Sequence, residues 1–344
     1  PYNYDLAAEN AQAGLPLTRP MFFYDESENA SDFLDEQYFW GENLLIAPVC
    51  EEGQEQKQIW LPNGNWIYFF DDRTSFQGGR TIEISTPDDE YPVFIKAGSI
   101  IPMVPPFLTY KDYDTDTLII HYYPDETIAE SFYDIYNDDG VEVFEDLNQG
   151  ENISFQALRQ DNNISIQISK TGLYNQDYQR LIEYILHRVD SPGTVSYADT
   201  ILQITTDGSV YDQSVNLALY DETNNLLKIK TSWTAQDAEI LISEIDLTDD
   251  IPSNLQRGQA FISEVFPNPA LKEIAITVRN AAENSVEISI FTITGSEILR
   301  NKVQTISGKI SEKINLEHLP PGVYIIMIHD GNIIKSHKFV KKQK

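Results

Sequence analysis

Apolar and polar positions alternate in short runs along most of this chain, and helical spacing is confined to its start. Residues 1–13, PYNYDLAAENAQA, are rich in alanine and good helix formers, and Gly14 stands where a left-handed C-terminal cap belongs. Pro16 and Pro20 then force extended chain. The pattern predicts one helix without a helical partner, and so an expected packing surface upstream of it. From about residue 37 the pattern is β. Leu44–Val49 is a short buried-strand run, and Asn63-Gly64 between Ile59–Leu61 and Asn65–Phe69 is a strong local hairpin signal. Gly78-Gly79 marks a turn before the alternating Thr81–Ile84, and Ala97-Gly98 separates Pro92–Ile95 from Ser99–Pro102. Short strands at this spacing indicate a sandwich.

A second β unit starts near Phe107, with strands predicted at Leu118–Tyr123 and Ser131–Tyr136, the latter closed by a turn at Asn137–Gly140. Alternation returns at Ile164–Ile168, Leu181–Leu186, Val215–Leu219, Leu227–Lys230 and Glu239–Ile242. Residues 246–261 are polar without a period and read as a linker. A third unit follows, alternating at Ile274, Ile276 and Val278, at Val286, Ile288 and Ile290, and at Tyr324, Ile326 and Ile328. The fold class is therefore all-β, in consecutive β-sandwich domains after a single helix.

Charge sharpens the last boundary. Residues 1–261 hold 13 Lys/Arg against 46 Asp/Glu, whereas residues 262–344 hold 11 against 8. The net charge of −30 argues against nucleic acid and anionic membranes as partners, since both need Lys/Arg to neutralise phosphate. No apolar run approaches the roughly 20 residues of a membrane span. One cysteine, Cys50, excludes a disulfide framework and a cysteine-based zinc site. The chain opens on Pro1 in mid-helix and is expected to be a fragment or a trimmed product, so its lack of a signal peptide carries no information.

Candidate chemistry is sparse. Asp71-Asp72 and Asp88-Asp89-Glu90 lie in predicted turns, and sequence neighbours cannot be placed as the separated carboxyl pair that glycoside cleavage needs. Asp112, Asp114 and Asp116 imitate the start of a calcium loop, but Thr117 replaces its glycine and Tyr123 its last glutamate. Asp134, Asp138 and Glu145 match three loop positions, while Tyr136 and Asp139 break two more. His121, His187, His318, His329 and His337 show no metal-ligand spacing. Ser99 after Gly98 lacks the flanks of a nucleophile elbow. Trp40, Trp60, Trp66 and Trp233 could stack on sugars, although a hairpin-flanking Trp60 and Trp66 fit a core better. Lys335, Lys338, Lys341, Lys342 and Lys344 read as a basic patch or as edge-strand protection. No catalytic, cofactor-binding or metal-binding residue is assigned, and no cofactor is implied.

Read in order, five segments resemble the region after the catalytic barrel in glycoside hydrolase family 31, the α-glucosidase and α-xylosidase family. They are Pro1-Tyr2-Asn3-Tyr4, Gly14–Met21 (GLPLTRPM), Glu36–Val49 (EQYFWGENLLIAPV), Leu61–Trp66 (LPNGNW) and Pro92–Pro102 (PVFIKAGSIIP). The next unit is similar to the distal β-sandwich of bacterial members, more loosely beyond about residue 190. The last unit resembles the C-terminal sorting domain of the type IX secretion system of Bacteroidota. Its carriers are Phe266–Ala270, Ile293–Gly295, Leu316 with Leu319–Tyr324, and Lys338–Lys341.

The resemblance implies a secreted or cell-surface retaining α-glycosidase, exported through the periplasm, that works through two aspartates on upstream barrel strands. Neither aspartate has a matching position here, so this chain is expected to be the non-catalytic tail, inactive alone. The resemblance divides it into the end of the barrel (1–24), a proximal β-sandwich (25–106), a distal β-sandwich (107–245), the linker (246–261) and the sorting β-sandwich (262–344). Its implied partners are the upstream catalytic barrel of the same polypeptide, the type IX secretion machinery through 262–344, and the oligosaccharide substrate of the parent enzyme. Rival readings are a stand-alone secreted module that binds glycan through exposed tryptophans, and a structural array, which should show repeats.

Overall fold

The computed structural model describes residues 1–344 apart from 52, 87–90, 108, 110–112, 141–149, 175–178, 249–261, 268–269, 280–284, 293–296, 306–309, 330–333 and 343–344, with the backbone alone at 262–264, 266, 279, 297 and 334–336. It forms two compact units, Pro1–Pro252 and Ser253–Lys344.

The first unit opens on the helix Tyr2–Ala13, closed by Gly14 in the left-handed region (φ +72°), whose N–H donates to Asn10 O. Behind it lies a six-stranded antiparallel sheet in the order Thr18–Pro20, Tyr38–Trp40, Leu44–Ile46, Val93–Lys96, Asn65–Tyr68, Asp71–Gln77. Alternation sends Trp66, Tyr68 and Phe94 to one face, where they pack with Ile59, Leu61, Ile82 and Ile84 of a two-stranded ribbon, Gln56–Leu61 with Arg80–Ser85. It sends Ile67 and Ile95 to the other face, where Tyr2 and Leu6 of the helix cover them together with Ala97, Ile101 and Tyr123. The apolar residues the helix buries here, Tyr2 and Leu6, find their partners later in this chain.

The hairpin expected at Asn63-Gly64 is also overturned. The strands on either side of it lie in different layers: Gln56–Leu61 pairs with Arg80–Ser85, and Asn65–Tyr68 with Asp71–Gln77 and Val93–Lys96. The chain changes layer at Pro62–Gly64 and again at Gly78-Gly79, and the two corners touch. Gly78 N–H donates to Gly64 O at 2.6 Å and Gly79 N–H to Leu61 O at 2.7 Å. A Cβ on Gly78 would fall 1.8 Å from Pro62 O, so only glycine fits there.

Two further six-stranded sheets complete the unit. One runs Ile204–Thr205, Leu217–Asp221, Leu226–Trp233, Arg180–His187, Thr117–Tyr122, Ile100–Met103. It pairs Thr117–Tyr122 with Arg180–His187 in parallel. The other is antiparallel in the order Glu130–Asn137, Glu151–Gln160, Asn163–Gly172, Ala238–Ser243, Thr194–Tyr197, Thr200–Ile201. They share one core, with Leu118, Ile120, Tyr184 and Trp233 from the first sheet and Ile153, Phe155, Ile166 and Ile242 from the second. The expected turn after Tyr136 is present as Asp138 accepting from Gly140 N–H at 2.8 Å. It does not close a tight hairpin, because the partner strand starts only at Glu151.

The second unit packs a three-stranded sheet (Ile262–Phe266, Glu273–Arg279, Ile310–Asn315) with a four-stranded one (Glu297–Gln304, Ser285–Thr292, Gly322–His329, Ile334–Lys341). The three alternating triplets expected inside, Ile274/Ile276/Val278, Val286/Ile288/Ile290 and Tyr324/Ile326/Ile328, are all buried in its core.

Candidate functional site

The residues at the recurring motifs are occupied by packing. Arg19 is buried, donates from Nε to Pro16 O at 2.8 Å and pairs with Glu9, so it clips the exit segment back onto the helix. Gln37 stands in for a backbone: its Nε2 donates to Trp60 O at 2.7 Å, and its Oε1 accepts from Trp60 N–H at 2.9 Å. Trp66 Nε1 donates to Pro62 O at 2.8 Å, which fixes the first corner. Gly41 (φ +64°) lies under the helix, where a Cβ would sit 2.5 Å from Tyr2 Oη and 2.8 Å from Leu6 Cδ2. Gly98 (φ +84°) meets Ile128 in the same way. In the second unit Tyr324 Oη donates to Pro320 O at 2.8 Å, and its ring stacks on Phe339 at 5.4 Å.

The helix is held from below by a buried carboxylate. Asp5 accepts from Tyr136 N–H at 2.9 Å and Tyr133 Oη at 3.0 Å. Burial pushes its carboxyl up to about 7, against the lowering effect of those two donors. Tyr2 Oη donates to Trp40 O and Trp40 Nε1 to Asn3 Oδ1, both at 2.8 Å.

Two histidines without sequence spacing meet in space. His121 Nδ1 lies 2.9 Å from His187 Nε2, and His187 Nδ1 lies 2.5 Å from Asp72 Oδ2. The parallel pairing of their strands brings together residues 66 positions apart, and Asp72 comes from the edge strand of the first sheet. With the carboxylate as acceptor, His187 donates from Nδ1, and a second ring–ring hydrogen bond joins its Nε2 to His121 Nδ1. Tyr123 stacks on His187 at 4.1 Å. Burial, then His187 and Lys228, push His121 down to about 4, against Asp72. The histidine chain clasps one sheet to another.

A buried ion cluster escaped the sequence reading too. Glu151 takes Arg180 as ion-pair partner, Lys170 at 3.2 Å and Asn137 Nδ2 at 2.9 Å, while Arg180 Nε donates to Thr115 O at 2.9 Å. It joins the two sheets of the shared core at one end. Only the pairing of a fully buried Glu with a fully buried Arg makes such charges tolerable there.

The remaining candidates are dispersed. Asp71 accepts from Thr74 Oγ1 at 2.7 Å, and Asp88–Glu90 lie outside the described residues. Asp114 accepts from Asp116 N–H at 3.0 Å, and Asp112 lies outside. Asp134 accepts from Ser154 Oγ, Asp138 accepts from Tyr4 Oη, and Glu145 lies outside. No group of three or more His, Cys, Asp or Glu converges among the described residues. Ser99 Oγ is buried against Asn43 Oδ1 at 3.1 Å. Trp60, Trp66 and Trp233 are core residues, and Trp40 is half-buried. Lys341 is buried, and Ala270 pairs with the last strand on both sides of it, through Val340 O and Lys342 N–H. Lys338 is exposed; Lys344 and the side chain of Lys335 lie outside.

Against known families, residues 14–101 match the glycosyl hydrolase family 31 C-terminal domain, and residues 264–342 match the secretion system C-terminal sorting domain. The chain is 42% identical over 103 residues to an isomaltosyltransferase of Sporosarcina globispora, a match covering 30% of this chain and 9% of that protein. It is 28% identical over 142 residues to an alpha-xylosidase of Saccharolobus solfataricus, covering 41% and 19%. The fold is that of part of a Flavobacterium johnsoniae GH31 dextranase (TM-score 0.64, 24% identity, 70% of this chain and 31% of that one). The chain thus spans a minor part of each of these proteins.

Proposed function

Because this chain carries the C-terminal domain of family 31 glycosyl hydrolases and a secretion-system sorting domain, we propose that it is the non-catalytic C-terminal portion of a secreted, retaining α-glycosidase. In this reading the first unit buttresses an upstream (β/α) barrel, and the second directs export through the type IX machinery. The observation that carries it is the family 31 match at 14–101 in a chain that also holds a sorting domain. Three buried or bonded carboxylates fit it: Asp5, Asp72 and Glu151 hold the helix, the histidine chain and the buried ion cluster.

Exposed apolar surface is available for such a barrel to rest on. Phe22 and Phe23, at 53% and 39% exposure, form a ring pair, and an apolar groove of about 530 Å³ runs between the start of the helix and Met103 and Phe107. The helix Tyr2–Ala13 would be the last of that barrel, and 1–24, 25–106, 107–245, 246–261 and 262–344 would be the successive segments. Strand Ile100–Met103 would then serve the distal sandwich, whose sheet it joins.

The test is turnover of an aryl α-glucoside. The purified chain is expected to show none, and the same chain extended upstream through its barrel to show it. Turnover by the isolated chain that survives rigorous purification would overturn the reading.

A further inference from the structure

The sheet that starts with Glu130–Asn137 turns Ile135, Phe155, Ile166 and Ile240 inward, and its outer face has no role in the reading above. On that face the register sets Phe132 opposite Gln156, Gln156 opposite Gln167, and Gln167 opposite Glu239. Three strand steps of 4.7–4.9 Å lay these four side chains in a transverse row about 14 Å long. A groove of about 570 Å³ runs over the row. Phe132 is 58% exposed despite its apolar ring. The side chains of Gln167 and Glu239 have no hydrogen-bond partner among the described residues, and no Lys or Arg lines the groove. At its rim Ala198 and Asp199 form a two-residue turn with φ of +44° and +61°. A left-handed alanine is held there at a cost of order 1 kcal/mol, where Asn-Gly would relieve it.

We infer that this face is a binding site for a neutral oligosaccharide. Phe132 stacks on the apolar face of a sugar ring, as exposed aromatics do with ligands that have one greasy side. Gln167 donates to and accepts from sugar hydroxyls, and Glu239 and Asp199 accept from them. The charge selects the ligand class: an acidic, cation-free groove repels phosphate, sulfate and uronate groups and suits uncharged hydroxyl donors. A peptide adding as a strand would pair along the sheet edge at Glu130–Asn137, whereas this groove lies over side chains on the face of the sheet. The ligand class follows from the face alone, whereas the choice of glycans bearing α-glucosyl or α-xylosyl units as first probes rests on the proposed glycosidase.

The experiment is affinity electrophoresis of the intact chain in native gels with dextran, soluble starch or xyloglucan, followed by titration with the matching oligosaccharide. At least one neutral glycan should retard the chain, and Phe132→Ala and Gln167→Ala should each weaken binding by at least about fivefold with an unchanged melting temperature. No retardation by any of the three overturns the inference, as it would if another part of a longer polypeptide covered the face. Retardation that survives both substitutions overturns it as well. Aryl α-glucoside turnover by the barrel-containing polypeptide reports separately on the glycosidase, so either can fail without the other.

Discussion

Two buried residues tie the first unit together and respond to acid in opposite senses. The Asp5 carboxyl, raised to about 7, titrates near 3.9 once unfolded. The folded state therefore keeps a proton that the unfolded chain gives up, and this site's contribution falls as pH rises from about 4 to 7. His121, lowered to about 4, titrates near 6.5 once unfolded. Here the unfolded chain takes a proton that the folded one refuses, so stability falls as pH drops from about 6.5 to 4. We predict that Asp5→Asn melts above the wild type at pH 8 and level with it at pH 4. The gap should be up to roughly 4 kcal/mol, the free energy of a three-unit shift. His121→Gln should gain on the wild type only below pH 6, and its neutral side chain can still hydrogen-bond to His187. Melting curves from pH 4 to 8 check both, and an Asp5→Asn advantage that is flat with pH would refute the first. None of this could be read from the sequence. Asp5 sits in an ordinary helical run, and His121 and His187 become neighbours only through a parallel strand pairing that no local signal announces.

At the scale of elements, strands whose apolar positions are large and branched were legible. Ile164–Ile168, Leu181–Leu186 and the three triplets of the second unit all lie in strands. Glu151–Gln160 alternates as regularly but is hidden in the sequence, because its inward positions include Glu151 and Ala157 and its outward ones begin with Asn152, Ser154 and Gln156, a composition that reads as loop. The Asn63-Gly64 signal misled for the opposite reason. It describes a local turn correctly, but partner choice is set by the second corner, where Gly78 lies against Pro62. Gly41 shows what the motif glycines do at this scale. An added Cβ collides with Tyr2 and Leu6, the two apolar residues the helix buries, and the left-handed backbone adds strain. Gly41→Ala is therefore expected to cost about 2–3 kcal/mol and to lift the helix while the strands stay paired. Hydrogen exchange should then quicken at residues 4–14 and remain slow in Val93–Lys96. Equal loss of protection in both would show that helix and sheet unfold as one.

For the molecule as a whole, the charge break and the structural division fall close together, at 261/262 in sequence and 252/253 in space. Each unit has its own core, and the core residues of one include none of the other. Apolar burial within each unit is what stabilises it, so removing one should leave the other folded. A chain ending at Pro252 should keep the melting midpoint of the first unit within about 2 °C of its value in the full chain, since each core is built from residues of its own unit. On the proposed function, that truncated chain appended to an upstream barrel should still turn over an aryl α-glucoside but should stay in the periplasm of a host with a type IX system. The unshortened protein should reach the medium or the cell surface. The two readouts separate folding from sorting. A truncated enzyme that is exported normally would remove the sorting role from the second unit, whereas one that no longer melts cooperatively would make that unit part of the scaffold. The near-neutral charge of the second segment after a strongly acidic first one fits a unit whose surface serves a separate purpose, as the proposed sorting role requires.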